Sequence, residues 1–282
     1  MTQIIDVRAP SDIGRAARLE LVFERHGGRT RLARQYVEPP FRIGACLDLH
    51  GAAYVIVACT GPGAFAGDRL QQTVRLEPGA QVVLASQSAL QLHPSAAPSP
   101  AQIVHEYDVG DDAELYAHWD PMIPFEGSRV EQRFDIRAAE TSHVYWSDAL
   151  MAGRVARGET WCFRALAHEL RLTRGSALAY LERYRLQPRC VPRSESWCAG
   201  PANYLSTSLA IDPRASSAHA EAMQQRLSTI FGVSSGVDAV EAGLIVARLA
   251  AREGPSFAAA REVVRDLALQ LIFGRANLAA RK

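Results

Sequence analysis

Hydrophobic residues recur at every second position over much of the chain, roughly from residue 19 to residue 211. A period of two is typical of β-strands that bury one face. Four series show the alternation most clearly: Leu70, Val74 and Leu76; Val130, Gln132, Phe134 and Ile136; Leu166, His168, Leu170 and Leu172; and Leu205, Thr207, Leu209 and Ile211. The pattern predicts a mainly β protein.

Four segments share the order strand, short polar turn, strand: VRLEPGAQVVL (74–84), YDVGDDAELYA (107–117), FDIRAAETSHV (134–144) and LRLTRGSALAY (170–180). Their marker residues Leu76, Val109, Ile136 and Leu172 are spaced by 33, 27 and 36 positions. Quasi-regular spacing predicts stacked layers of hairpins or coils, as in a sandwich or an irregular β-solenoid. Ordinary hairpins in a large all-β protein would look similar, so both interpretations stay open.

After Pro213 the apolar period becomes helical. Ser216 and Ser217 can cap a first helix, a second is predicted over 237–252, and Ser256 can cap a third. The first is expected to bury Ala220, Met223, Leu227, Ile230 and Phe231, and the third Ala260, Val263, Val264, Leu267, Leu271 and Ile272. A loop is predicted over 189–203. We expect one domain over 1–282, with a β body at about 19–212 and a helical tail at about 214–275.

Composition narrows the class of protein. A net charge of +1 gives no electrostatic reason to bind nucleic acid or an anionic membrane. No apolar run approaches the roughly 20 residues of a membrane span, and the first ten residues lack the apolar core of a secretion signal. The five cysteines are widely spaced without a C-x-x-C pair, which argues against a disulfide framework. We therefore expect a cytoplasmic protein.

The segment TGPGAFAGDRL at 60–70 resembles a phosphate-binding loop at first sight. A P-loop requires lysine and then serine or threonine after its last glycine, but Asp68 and Arg69 follow Gly67. The dinucleotide fingerprint has a shorter glycine spacing and opens a helix, whereas an alternating strand pattern follows here. Pro62 also lacks an amide hydrogen. The segment is better interpreted as a sharp turn that presents Asp68.

The sequence shows no recognisable nucleophile–base arrangement and no local motif for tight metal binding. The serines nearest to histidines have no recognisable third partner, no H-E-x-x-H spacing occurs, and the eight histidines are isolated. Cys46 and His50 are four residues apart, but their segment is not predicted to be helical. A hydrolase with paired carboxylates and a transient metal path lined by carboxylate, histidine and cysteine both remain open, because neither requires a local motif.

Five segments, in this order, resemble landmarks of the urease accessory protein D family: GGRTRLARQYVEPPFRIG (27–44), TGPGAFAGDRL (60–70), SQSALQLHPS (86–95), WDPMIPFEGSRVEQRF (119–134) and DALMAGRVARGE (148–159). The most specific is Gly153-Arg154 followed by Gly158-Glu159. Ala66 stands where the family usually has glycine, and the segment 90–93 lacks the usual basic-aromatic element. The similarity covers roughly residues 27–272.

The resemblance implies a scaffold for nickel insertion that is not itself an enzyme. Such proteins bind apo-urease and recruit accessory protein F and, through it, the GTPase accessory protein G. GTP hydrolysis then drives nickel into the urease active site, and the ion can pass through this type of scaffold. The resemblance further implies that no cofactor is tightly bound, that any nickel is transient, and that the protein can form a homodimer within the complex.

Six residues are candidates for a nickel passage. Asp68 and Glu159 come from the matched motifs, and Cys46, His50, Asp120 and Asp148 are chosen for their proximity to those motifs in the sequence. Each has a structural alternative as a turn cap or as a salt-bridge partner of a nearby arginine. The helical tail is the expected docking surface, since its apolar faces need a partner. The alternatives are an uncharacterised β-scaffold hydrolase that uses carboxylates and a self-assembling structural β protein.

Overall fold

Two facing β-sheets form the body of the protein in the computed structural model, which describes residues 14–188 and 201–278. Strands are numbered in chain order. The first sheet contains, in spatial order, β16 (Ala177–Leu186), β15 (Ala165–Arg174), β13 (Arg129–Ala138), β10 (Ala101–Val109), β7 (Arg69–Leu76), β1 (Ala16–His26) and β2 (Arg29–Val37).

The second sheet has twelve strands. Its main path is β18 (Val233–Glu241), β19 (Leu244–Ala251), β17 (Tyr204–Ile211), β14 (His143–Met151), β11 (Glu114–His118), β8 (Gln81–Ser86), β5 (Ala52–Cys59) and β3 (Phe41–Ile43). Four short strands attach beside this path: β4 (Leu47–Leu49), β6 (Ala64–Phe65), β9 (Leu90–His93) and β12 (Met122–Pro124). The mainly β architecture predicted from the alternation is confirmed.

Successive coils connect the two sheets. β7, β10, β13 and β15 run parallel in the first sheet, and β5, β8, β11 and β14 run parallel in the second. The first three repeat segments are therefore crossings from one sheet to the other, as in a solenoid. The fourth is a hairpin, because β15 and β16 pair antiparallel within the first sheet.

Strand register tests the predicted repeat lengths. Leu76 pairs with Val109, and Ile136 pairs with Leu172, so the outer spacings of 33 and 36 are confirmed. Val109 pairs with Ala138, not with Ile136, and the middle repeat is therefore 29 residues long. The residue of the third repeat that aligns with Val109 is Ala138, two positions after the marker Ile136. The difference arises because the turns differ in length while the strands keep their inward faces aligned.

One hydrophobic core lies between the sheets and a second lies outside the second sheet. In the first, Leu70, Val74 and Leu76 are buried as the alternation predicted. In the second, the outer face of the twelve-stranded sheet packs against two helices, α1 (Ser217–Leu227) and α2 (Gly254–Leu267). The helices therefore bury their apolar faces within the chain. The argument that these faces need a docking partner is wrong for this reason.

Helix α1 is shorter than its apolar pattern predicted. Ala220, Met223 and Leu227 are buried, but the helix ends at Leu227, and Phe231 is 96% exposed. Helix α2 begins at Gly254, with Pro255 in its first turn, and continues into a π-helical turn at Ala268–Ile272. Short 3-10 turns lie at Val155–Arg157 and Ala276–Leu278. The predicted loop at 189–203 lies outside the described residues except for its last three.

The helix predicted over 237–252 is wrong, because this segment forms the hairpin β18–β19. β19 lies between β17 and β18 and is buried on both sides. Leu244 and Val246 face the inter-sheet core, whereas Ile245 and Ala247 face the helices. A strand covered on both faces has continuous apolar residues instead of alternation, so its sequence is easily mistaken for a buried helix.

Gly63 allows the glycine-rich turn to pack closely against the chain beside it. Its φ angle is 119°, and a Cβ atom there would lie 2.2 Å from the carbonyl oxygen of Gln91. Gly61 also has a positive φ angle, 99°, but a Cβ atom there would have no neighbour within 4 Å among the described residues. Substitution of the two glycines therefore distinguishes the two costs. Both positions carry the cost of backbone strain, but only Gly63 also carries the cost of a steric clash.

We expect Gly63→Ala to lower the free energy of unfolding by roughly 3 kcal/mol or more, because strain and clash add. Gly61→Ala should cost only about 1 kcal/mol from strain alone. Urea-induced unfolding of the two variants measures both costs. Equal losses would show that the close approach at Gly63 does not constrain the turn.

Candidate functional site

Asp68 organises the glycine-rich turn. Its carboxylate is 4% exposed and accepts hydrogen bonds from the backbone N–H of Phe65 at 3.0 Å and of Arg15 at 2.8 Å. Arg15 Nη2 also donates to it, at 3.0 Å. These contacts cap the turn and attach the start of β1 to it. A contact between Asp68 and nickel stays a prediction.

Glu159 closes the family-like segment 148–159 in a similar way. Its carboxylate accepts a hydrogen bond from Arg154 Nε at 2.7 Å and a second from Arg154 Nη2. It also accepts the backbone N–H of Glu126 at 2.7 Å. Partial burial opposes ionisation, but these hydrogen bonds dominate and hold the pKa of Glu159 below its ordinary value. The carboxylate is thus engaged in holding its own loop.

Three other candidates lie on loops of the second sheet. Cys46 and His50 are exposed on the loops around β4, at the β3–β5 edge of the second sheet. Asp120 is half-buried on the loop after β11, where its backbone N–H donates to Ser86 Oγ at 2.7 Å. The structure therefore does not gather the six candidates around one point. Asp148 is the one whose surroundings combine several ionisable groups, beside a cavity that opens to solvent between the two sheets.

The side chain of Asp148 points from β14 into a cavity of about 580 Å³ between the ends of the two sheets. Asp148 is 8% exposed. The polar part of the cavity wall comes from six strands of both sheets and includes Gln132, Asp148, Glu182, Thr207 and Arg248. The pairing of Asp148 with Thr207 and of Thr207 with Arg248 places these three on the same face of the second sheet.

His168 lies beside this cavity with a carboxylate near each ring nitrogen. Its Nδ1 is 3.9 Å from Asp148 Oδ2, and its Nε2 is 3.8 Å from Glu182 Oε1. Nδ1 is also 3.3 Å from Gln132 Oε1, which can only accept a hydrogen bond. Burial lowers the pKa of His168 to about 4, so its imidazole is neutral at pH 7. The ring proton therefore belongs on Nδ1.

This tautomer leaves a lone pair on Nε2, which has no hydrogen-bond partner among the described residues. The lone pair and Glu182 Oε1 are two acceptors that face each other across 3.8 Å. Two acceptors in this arrangement gain nothing from each other, and the group that would satisfy both is a donor or a cation. Neutral imidazole and carboxylate are both ligands of first-row divalent metals.

Burial also changes the chemistry of Asp148. Loss of hydration, reinforced by the negative charge of Glu182, raises the pKa of Asp148 to about 7. Its carboxyl group can therefore change its protonation state near neutral pH. A second histidine, the partly buried His105, has its pKa lowered to about 3 by burial and is neutral as well.

Glu182 is held by contacts from both sheets. Its Oε1 accepts a hydrogen bond from Thr207 Oγ1 at 3.1 Å, and its Oε2 accepts one from the hydroxyl of Tyr180 at 2.9 Å. Arg248 donates to the same Oε2 from Nε at 2.9 Å and from Nη2 at 2.6 Å. Glu182 therefore joins the edge strand of the first sheet to β17 and β19 of the second.

Sequence reasoning missed Glu182, Thr207 and Arg248 and treated His168 only as part of an apolar series. The available signal was position within the alternation. His168 falls at an inward position between Leu166 and Leu170, and Glu182 falls at one between two tyrosines. An ionisable residue on the apolar face of a strand indicates a buried polar group.

Across residues 14–188 and 201–278, no three His, Cys, Asp or Glu side chains converge closely enough to hold a metal ion together. In the same part of the chain, no helix combines the length and apolar character needed to cross a bilayer.

Fold and site define a solenoid-like β protein with an interior cavity that contains buried carboxylates and a neutral histidine. The family model of the UreD urease accessory protein matches residues 15–282. The chain therefore belongs to the UreD urease accessory protein family.

Individual relatives agree with this assignment. The chain is 36% identical over 210 residues to a urease accessory protein UreD from Sorangium cellulosum, and 34% identical over 196 residues to UreD 2 from Streptomyces griseus. These alignments cover 74% and 67% of this chain, and 66% of each relative. A UreD from Deinococcus radiodurans is 26% identical over 269 residues, which cover 95% of both chains.

The raised pKa of Asp148 predicts a specific dependence of stability on pH. The folded state holds the proton of Asp148 more tightly than the unfolded state does, so stability falls as pH rises from about 4 to about 7. Asp148→Asn, a neutral isostere, should remove this component and stabilise the protein at pH 8 by an amount on the order of a few kcal/mol. It should have little effect at pH 4.

Urea unfolding at pH 4 and pH 8 measures the difference in stability between the wild type and Asp148→Asn. A chelator in the buffer keeps metal ions away from the carboxylate. Asp108→Asn is the matched control, because Asp108 is a half-exposed carboxylate that pairs with Arg75 on the outer face of the first sheet. An equal pH response of the wild type and Asp148→Asn would contradict the burial of an ionisable Asp148.

Proposed function

We propose that this chain is a urease maturation protein that binds apo-urease and, with other accessory proteins, supports GTP-dependent insertion of nickel. In this proposal the chain is a scaffold without catalytic activity of its own. Accessory protein F binds to it and brings the GTPase accessory protein G. Membership of the UreD family supports the role in urease maturation. The named partners and the use of GTP belong to the proposal.

We further propose that the nickel ion passes through the cavity at Asp148, His168 and Glu182. The observation that supports this path most strongly is the position of His168 Nε2, which lies 3.8 Å from Glu182 Oε1 and has no hydrogen-bond partner among the described residues. Two ligands about 2.0–2.2 Å from a divalent ion can span this separation. Asp148 lies on the opposite side of the imidazole and would provide the next oxygen along the path.

The donor set is suited to a cargo ion that must be released. Nickel would be held by one or two protein ligands at a time, with water as the remaining ligands. The neutral imidazole needs no deprotonation before it binds, because burial has already lowered its pKa. The proposal therefore includes no resident cofactor, and nickel is treated as the substrate of the delivery process.

Co-expression of the urease subunits with the other accessory proteins, with and without this chain, tests the proposed class of function. Nickel-dependent urease activity should be lost when the chain is omitted, although the urease subunits still assemble. Full urease activity in its absence would overturn the proposed role.

Asp148→Ala tests the proposed path. We expect urease activation to fall by about tenfold or more, since one ligand of the passing ion is lost. Co-purification of the variant with urease and the accessory proteins should be unchanged, because Asp148 lies inside the sandwich. Asp108→Ala, on the outer face, should activate urease like the wild type. Normal activation by Asp148→Ala would exclude Asp148 from the path.

A further inference from the structure

Arg248 bridges the two sheets at the mouth of the cavity. It lies on β19 of the second sheet and reaches Glu182 and Tyr180 on β16, the edge strand of the first. Its Nη2 donates to Glu182 Oε2 and to the Tyr180 hydroxyl, each at 2.6 Å, and its Nε donates to Glu182 Oε2 at 2.9 Å. These bonds cross the opening between the sheets.

The two partners of this ion pair differ in exposure. The side chain of Glu182 is 9% exposed, whereas that of Arg248 is 60% exposed. Thr207 fixes the other carboxylate oxygen from inside the cavity. Arg248 can therefore swing into solvent without disturbing the core, while Glu182 must stay in place.

Because Arg248 already neutralises Glu182, it competes with any other cation for this carboxylate. With Arg248 in place, Oε2 of Glu182 already accepts hydrogen bonds from a guanidinium group and a phenol. A divalent cation at Glu182 would place two positive charges beside a third, which is unfavourable in a partly buried site. Departure of Arg248 removes that repulsion and frees Oε2.

We propose that Arg248 is a displaceable counter-ion that occupies Glu182 when the cavity is empty and that an entering divalent cation must replace. This inference rests on the proposed function, in which such an ion visits the cavity. Arg248 is then a positioning residue that keeps the binding of the divalent cation weak. It neutralises Glu182 before the ion arrives and returns to it when the ion leaves, which assists release.

Calorimetric titration of the full-length chain with Ni²⁺ alone tests the inference. We expect Arg248→Gln to bind Ni²⁺ about fivefold more tightly than the wild type, on the scale of one exposed ion pair. Release of the bound ion to a chromogenic chelator should slow by a similar factor. Arg248→Lys keeps the charge and should stay within about twofold of the wild type.

Arg75→Gln is the matched control. The side chain of Arg75 is 55% exposed, like that of Arg248, but it pairs at 3.2 Å with Asp108 on the outer face of the first sheet. This variant should bind Ni²⁺ like the wild type. A gain equal to that of Arg248→Gln would show that only net charge matters, and it would overturn the specific role of Arg248.

A double-mutant cycle with Glu182→Gln separates the two proposals. In the Glu182→Gln background, Arg248→Gln should have no effect on Ni²⁺ affinity, because the shared carboxylate is gone. If Asp148→Asn and Glu182→Gln weaken binding but Arg248→Gln does not tighten it, the counter-ion role fails and the proposed path stands. If none of these three variants changes Ni²⁺ binding, the path and the counter-ion role both fail. Thermal unfolding confirms that each variant is folded.

Discussion

The parallel register between successive coils is the constraint on which the interior of this protein depends. Each coil turns the same set of strand positions inward, so side chains on neighbouring strands are stacked in rows. Gln132 lies beside His168 in this way, and Gln72 lies beside His105. A slip of one residue would turn these groups to the outer face. The polar interior therefore follows from the same register that builds the apolar core.

Burial then determines the chemistry of that interior. It keeps His168 and His105 neutral, and it raises the pKa of Asp148 toward neutrality. Glu182 would be costly to bury as an isolated charge, and Arg248 and Thr207 offset that cost from the opposite sheet. Carboxylates and a free imidazole nitrogen are thus present in the fold without a fixed metal site among the described residues.

Alternation in the sequence was sufficient to predict the strands, the coil-like repeat and the interior position of Leu70 and its equivalents. It failed where a segment is covered on both faces, as in β19, which resembles a helix in sequence. Asp148 could be named in advance because it lies close to a family motif in the sequence. The proximity of His168 to Glu182 could not be predicted from the sequence. It depends on how β15 and β16 pair and on which edge of the second sheet lies opposite them.

In the proposed path a divalent ion binds between His168 and Glu182. Anomalous diffraction at the nickel absorption edge, from crystals soaked in Ni²⁺, locates such an ion. We expect a peak within bonding distance of His168 Nε2 and Glu182 Oε1, with Arg248 displaced. Peaks confined to exposed side chains such as His50 and Cys46, with Arg248 still on Glu182, would contradict it.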